Sequence, residues 1–178
     1  YTNKTEMLKI RNTHTNKKQH KHLPNVFNEH QDKGTCTYPK RFILFYGMLN
    51  STVNQTAFIF LKNEIYPLIK TFLQQQDIHI LVIGKNKTST YDKELENITV
   101  LGEVDNLTSY IKKAEFVFLP LKIASGTLTR VLEAAFLKKT VLTTSIGAEG
   151  LNMDKALCIE DTASNIAIKT VQLLSTPN

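Results

Sequence analysis

Glu115-Phe116-Val117-Phe118-Leu119-Pro120-Leu121-Lys122-Ile123-Ala124-Ser125-Gly126-Thr127-Leu128-Thr129-Arg130-Val131-Leu132-Glu133-Ala134 is the stretch that decides the fold. Residues 115–119 form a mostly apolar run, suited to a strand buried on both faces. Pro120, with no N–H to give a ladder, stops it. Ser125 then stands where a helix N-cap belongs. The spacing predicts a helix over 126–137 with Leu128, Val131, Leu132 and Ala135 on one side. Strand, turn and helix in such short order are the working parts of an α/β sandwich.

The same alternation runs outward in both directions. Phe42-Ile43-Leu44-Phe45-Tyr46 is a continuous apolar run closed by Gly47. After it, Val53, Ala57, Phe58, Leu61, Ile65, Leu68, Ile69, Phe72 and Leu73 recur at intervals of three and four along one long helix, which Pro67 should kink or split near Tyr66. Further strands are predicted at 78–83, closed by Gly84, and at 98–101, closed by Gly102. Asp105 is then placed to cap a helix over 106–113. Beyond the central unit, 140–144 and 157–160 read as strands, and Asp161 or Thr162 as the cap of a last helix to Leu174. Apolar strands alternating with helices imply a Rossmann-like, doubly wound parallel sheet of about six strands, covered on both faces.

Composition sets limits around this core. The chain has 178 residues, 42% hydrophobic and 21% charged, as expected of one globular domain with an appendage. No apolar run approaches the roughly 18 residues of a membrane span. Two cysteines, Cys36 and Cys158, make no disulfide scaffold, so a reducing, cytoplasmic setting is the default. The net charge of +6 is unevenly placed: residues 1–41 hold nine Lys/Arg against three Asp/Glu, and residues 42–178 thirteen against thirteen. No basic stripe marks the folded body, so nucleic acid is not an expected partner. Residues 1–40 read as a polar linker, with the domain at 41–178. His20-x-His22 lacks the further ligands of a closed metal site, and Lys17-Lys18-Gln19-His20-Lys21-His22 has no interleaved aromatics; both read as solvated chain. The chain opens on Tyr1 with no leader behind it, so it is expected to be a piece of a longer protein.

In such a sheet a ligand lies beyond the carboxyl ends of the strands. The loops to inspect begin at Gly47, Gly84-Lys85, Gly102-Glu103-Val104, Pro120 and Ser145. The backbone N–H groups of Gly126, Thr127 and Leu128 at a helix start suit a phosphate, and Glu133 two turns in would suit a hydroxyl-rich group such as ribose. A plain capped helix with Glu133 in water fits the same pattern, and both readings stay open here. There is no G-x-G-x-x-G after the first strand and no G-x-x-x-x-G-K-[ST].

Taken in order, Phe42 to Asn54, Ile80-Leu81-Val82-Ile83-Gly84, Val100 to Leu107, Phe116 to Leu121, Ser125-Gly126-Thr127, Arg130 to Ala135, Thr140 to Thr144 and Gly147-Ala148-Glu149-Gly150-Leu151 resemble the C-terminal domain of group 1 glycosyltransferases (glycosyltransferase family 4, retaining, GT-B fold) over about 41–174. His22-Leu23-Pro24-Asn25 is similar to the linker ahead of that domain, which would make residues 1–21 a remnant of the N-terminal domain. The resemblance implies one half of a GT-B enzyme, binding a UDP-, GDP- or ADP-sugar without a resident metal or other cofactor. Carried over, Glu133 would hold the ribose hydroxyls, the backbone near Ser125, Gly126 and Thr127 the diphosphate, and Leu101, Gly102 and Val104 the base edge. Gly47, Gly84 and Lys85 would border the donor, and Arg130 would help with the phosphates.

Two departures from the family pattern stand out. Ser125 sits where many members carry the first Glu of an E-x7-E pair, and Gly47-Met48-Leu49-Asn50 lacks their Arg and Lys, for which Lys85, Lys87 or Lys122 could substitute. The implied parent is a hexosyltransferase of surface polysaccharide synthesis. It would act on a glycan or lipid-linked acceptor in the cytoplasm or at the inner membrane face, with this piece alone inactive and the N-terminal domain as its partner. The alternatives are an epimerase-type GT-B domain, a non-catalytic nucleotide-binding module, or an RNA binder acting through residues 1–41.

Overall fold

The computed structural model describes residues 35–85, 96–123, 129–151 and 156–176. Six parallel strands form one sheet: β1 (Arg41–Tyr46), β2 (Ile78–Ile83), β3 (Ile98–Gly102), β4 (Val117–Leu119), β5 (Val141–Thr143) and β6 (Leu157–Ile159), in the spatial order β3-β2-β1-β4-β5-β6. This is the Rossmann-like order, with the reversal between β1 and β4. Right-handed crossovers that step in opposite directions from that line lie on opposite faces of the sheet. Both faces are thereby covered, which is why Ile43, Leu44, Phe45, Ile80, Leu81, Val117 and Phe118 are all sealed from solvent rather than alternating in and out.

The long helix negotiates Pro67 without breaking. It runs as α1 (Thr52–Phe60), a π-helical stretch over Leu61–Ile65, and α2 (Tyr66–Gln75). Proline has no N–H, and its ring collides with the carbonyl four residues back. The π stretch moves the hydrogen bonds out by one residue, so that Tyr66 N–H reaches Leu61 O and Pro67 falls in the first turn of α2, where no N–H is needed. Ser51 caps α1 by accepting from Asn54 N–H at 3.3 Å.

Several sequence boundaries move. The next helix, α3 (Leu107–Lys113), is capped by Asn106, whose Oδ1 accepts from Ser109 N–H at 3.1 Å, and not by Asp105. An N-cap side chain accepts from the N–H two or three residues on, and here Asn106 is the residue that does so. The strand expected over 115–119 narrows to Val117–Leu119, with Glu115 held at the sheet margin by Arg41 at 2.8 Å. The strands expected over 140–144 and 157–160 shorten to β5 and β6. α4 (Thr129–Phe136) continues the central unit, and its expected beginning at 126–128 falls outside the described residues. Thr162, not Asp161, caps α5 (Ala163–Ser175), because Asp161 is taken up by Ser145 N–H at 2.8 Å. α5 packs against α2 and the π stretch.

Residues just ahead of β1 already belong to the packed body. Tyr38 stands edge-on to Phe42, its hydroxyl 2.8 Å from His79 Nδ1 and 3.2 Å from Thr99 Oγ1. Burial, with a smaller contribution from Lys40, holds the His79 imidazole below the ordinary histidine value. The folded state therefore binds this proton less tightly than the unfolded chain does. Its contribution to stability is complete above the unfolded value of about 6.5 and is lost as pH falls below it. Unfolding midpoints in urea are expected to drop from about pH 7.5 to about pH 5.5, and His79→Gln should flatten that drop. An unchanged slope in the variant would reject this assignment.

Candidate functional site

Three strand ends meet in backbone-to-backbone steps. Gly47 N–H donates to Ile83 O at 2.9 Å, and Gly84 N–H donates to Gly102 O at 2.8 Å. Gly47 and Gly84 have φ of 146° and 155°, open to glycine and costly for any other residue. The reason lies in the packing. A Cβ on Gly84 would run into the carbonyl oxygen of Gly47, and a Cβ on Gly47 into Arg130 Nη1 and Asn54 Nδ2. The closely stacked turns after β1 and β2 leave no room for a side chain there.

α4 delivers the charged groups to this point. Arg130 Nη1 donates to Tyr46 O at 2.6 Å, and Tyr46 Oη donates in return to Arg130 O at 2.7 Å. The same hydroxyl lies 3.2 Å from Glu133 Oε2. Arg130 and Glu133, one turn apart, thus both face the last residue of β1, at the topological switch point. Burial lowers the Arg130 pKa from its ordinary value, opposed by Tyr46 and Glu133; with so high a starting point the group stays cationic. Among the described residues no carboxylate forms an ion pair with it. Burial, and after it the Glu133 charge, pushes the Tyr46 phenol well above its ordinary value, so it is a neutral donor.

The flanks of this cluster are built by β3 and by the turns after β4 and β5. A register shift sets Ile83 opposite Gly102 where Val82 faces Val100, which bulges Leu101 out of the ladder and leaves it 38% exposed. Val104 tucks against the core. Lys85 stands exposed, 3.8 Å from Glu103. On the other side Thr143 Oγ1 donates to Leu119 O at 2.8 Å and Thr144 Oγ1 to Leu121 O at 2.5 Å, and Thr144 also accepts from Gly147 N–H. These two buried hydroxyls tie the β4 and β5 turns into one wall.

The structure therefore brings together Gly47, Gly84, Gly102, Arg130 and Glu133, with Leu101 at the margin. Ser125, Gly126, Thr127 and Lys87 lie outside the described residues. Of the other expected sources of positive charge, exposed Lys85 lies 3.8 Å from the equally exposed Glu103, and Lys122 Nζ rests 4.2 Å above the Phe60 ring. Tyr46 is the site residue that the sequence pattern hides, because it closes an apolar strand run. Its one signal was a hydroxyl at the end of an otherwise hydrocarbon run. Among the described residues, a hollow of 550 Å³ lies at the opposite end of the sheet beside His79 and Asn97, and another of 450 Å³ lies between α2 and α5. Neither borders this cluster. The described residues contain no group of three or more His, Cys, Asp or Glu placed to hold a metal ion, and no helix among them is long and apolar enough to cross a membrane.

Sheet order and stacked glycines define a Rossmann-like α/β domain whose topological switch point lies between β1 and β4, where Arg130 and Glu133 meet the end of β1. The chain belongs to the family of group 1 glycosyl transferases, whose sequence profile matches residues 40–176. No curated protein matches it in sequence. Among solved structures it is similar to a S. aureus TarM variant in complex with Fondaparinux, α-GlcNAc-glycerol and UDP, at 16% identity and a TM-score of 0.71, covering 97% of this chain and 36% of that one. It is also similar to WaaG, a glycosyltransferase involved in lipopolysaccharide biosynthesis, at 14% identity and a TM-score of 0.60, covering 77% of this chain and 38% of that one. A UDP-forming α,α-trehalose-phosphate synthase from Burkholderia xenovorans, in complex with glucose-6-phosphate, matches at 10% identity and a TM-score of 0.58, covering 78% of this chain and 37% of that one. At these identities the likeness is one of fold. The chain spans less than two-fifths of the length of each of these structures.

Proposed function

We propose that this chain is the donor-binding, C-terminal part of a retaining GT-B glycosyltransferase of family 4 that moves a hexose from a nucleoside-diphosphate sugar to a glycan or lipid-linked acceptor. The observation that carries this reading is the convergence of Arg130 and Glu133 on the end of β1 within a group 1 glycosyltransferase domain. A carboxylate repels phosphate but accepts hydrogen bonds from a vicinal diol, so Glu133 takes the ribose. A guanidinium with no ion pair among the described residues suits a diphosphate, and Arg130 supplies the charge that the turn after β1 lacks. In this reading the residues ahead of Thr129, Ser125-Gly126-Thr127 included, present N–H groups to the same diphosphate. The bulged Leu101 offers an apolar edge to the base, and Gly102 and Val104 shape that margin. The leaving diphosphate is stabilised by Arg130 and the helix N-terminus, and the reading assigns no metal. The acceptor side belongs to the N-terminal GT-B domain, at the cytoplasmic face of a membrane.

Calorimetry against UDP, GDP and ADP tests the site. One of the three is expected to bind, and Glu133→Ala to weaken it about tenfold or more, the scale of a hydrogen bond to a charged group. Equal affinity in the two proteins would remove Glu133 from the site.

A further inference from the structure

The Tyr46 hydroxyl has one proton and two acceptors. It is 2.7 Å from Arg130 O and 3.2 Å from Glu133 Oε2, and its residue is 1% exposed. A buried phenol that stays neutral can only donate or be donated to, so its place against a carboxylate constrains that carboxylate. The constraint has a rigid origin. Tyr46 is the last residue of a central strand, and its own carbonyl is held by Arg130 Nη1 at 2.6 Å. Side chain to backbone and backbone to side chain, the two residues clasp β1 to the first turn of α4. Glu133, one turn further along the same helix, has a flexible side chain of its own and gains a fixed contact at Oε2. A carboxylate with one oxygen engaged keeps the lone pairs of the other for a second partner.

We propose that Tyr46 is a positioning residue: its hydroxyl sets the Glu133 carboxylate for the two ribose hydroxyls of a nucleoside diphosphate, and so sets the preference of the site for ribose over a sugar lacking those hydroxyls. This rests on the reading of Glu133 given above and adds a residue to it that touches no ligand. A merely structural tyrosine would affect all nucleotides alike. A positioning one affects only those that carry the diol.

The test uses calorimetry with UDP, GDP and ADP and with their 2′,3′-dideoxy forms. The wild-type protein is expected to favour the ribo form of whichever base binds by about tenfold or more. Tyr46→Phe should cut that preference at least threefold while leaving the dideoxy affinity unchanged. Glu133→Asp, which keeps the charge but draws it back from the hydroxyl by one methylene, should cut it similarly; this variant lies on the half-buried face of a helix and serves should Tyr46→Phe fail to fold. Tyr46→Phe in a Glu133→Ala background should change nothing further. A Tyr46→Phe protein that keeps the full ribo preference, or loses ribo and dideoxy affinity equally, would overturn the proposal. So would a Glu133→Asp protein with its preference intact. If Glu133→Ala abolishes the preference while Tyr46→Phe retains it, the ribose reading stands and Tyr46 alone is removed. If no nucleoside diphosphate binds the wild-type protein, the reading and the proposal fall together.

Discussion

Gly84→Ala is expected to be strongly destabilising, more so than Gly102→Ala. At φ of 155° an L-residue is strained, at a cost of about 1–3 kcal/mol. The new Cβ would also meet the Gly47 carbonyl oxygen, a backbone atom fixed between β1 and the Arg130 clasp. A flexible side chain could swing aside; this backbone cannot. The sum is about 3–5 kcal/mol, a large part of the roughly 5–15 kcal/mol that holds a domain folded. Thermal unfolding followed by circular dichroism should show a midpoint lower by roughly 10 °C. Gly102→Ala is the control. It too has positive φ, 75°, but a Cβ there meets nothing within 4 Å, so only the backbone cost of about 1 kcal/mol remains. A Gly84→Ala protein melting no lower than the Gly102→Ala one would show that the two strand-end turns are not packed as described.

The second large effect concerns charge. Arg130→Met preserves most of the side-chain bulk and removes the guanidinium. If Arg130 faces the diphosphate, affinity for the nucleoside diphosphate should fall about a hundredfold, the scale of losing charge-assisted hydrogen bonds in a partly buried site. Affinity for the uncharged nucleoside should hardly move. That contrast separates a lost phosphate contact from a loosened clasp, because the Tyr46 carbonyl loses its partner in either case. Equal losses for nucleotide and nucleoside would make Arg130 a purely structural tie. Raised salt should weaken nucleotide binding in the wild-type protein more than in the variant.

Lys85 and Lys122 illustrate how a sequence leaves charge placement open. Both follow strands at the correct end of the sheet, and both could be imagined over a phosphate. Glu103 holds the first and the Phe60 ring the second, through contacts between residues far apart in the chain. Arg130, by contrast, comes from a helix on the other side of the switch point, and its guanidinium lies against Gly47, the very turn whose own sequence carries no cation. Local pattern reading assigns a charge to the loop in which it is written; folding assigns it to the loop it reaches.

The strands and helices of this protein are legible in its sequence because burial on both faces demands uninterrupted apolar runs, and a helix on a sheet demands a stripe at intervals of three and four. Phe42 to Tyr46, Ile78 to Ile83 and the stripe from Val53 to Leu73 could hardly form anything else, and a parallel α/β sheet follows. Cap positions are not fixed by local pattern, since Asp105 and Asn106, or Asp161 and Thr162, have nearly equal intrinsic merit as caps. The backbone of the finished helix and the competing pull of Ser145 chose between them. Strand order, and with it the location of the switch point, needs long-range pairing that no local pattern encodes. The clasp between Tyr46 and Arg130 is the extreme case: 84 residues separate its partners, and only the juxtaposition of β1 with α4 turns an ordinary-looking strand residue into the contact of the half-buried Glu133 carboxylate.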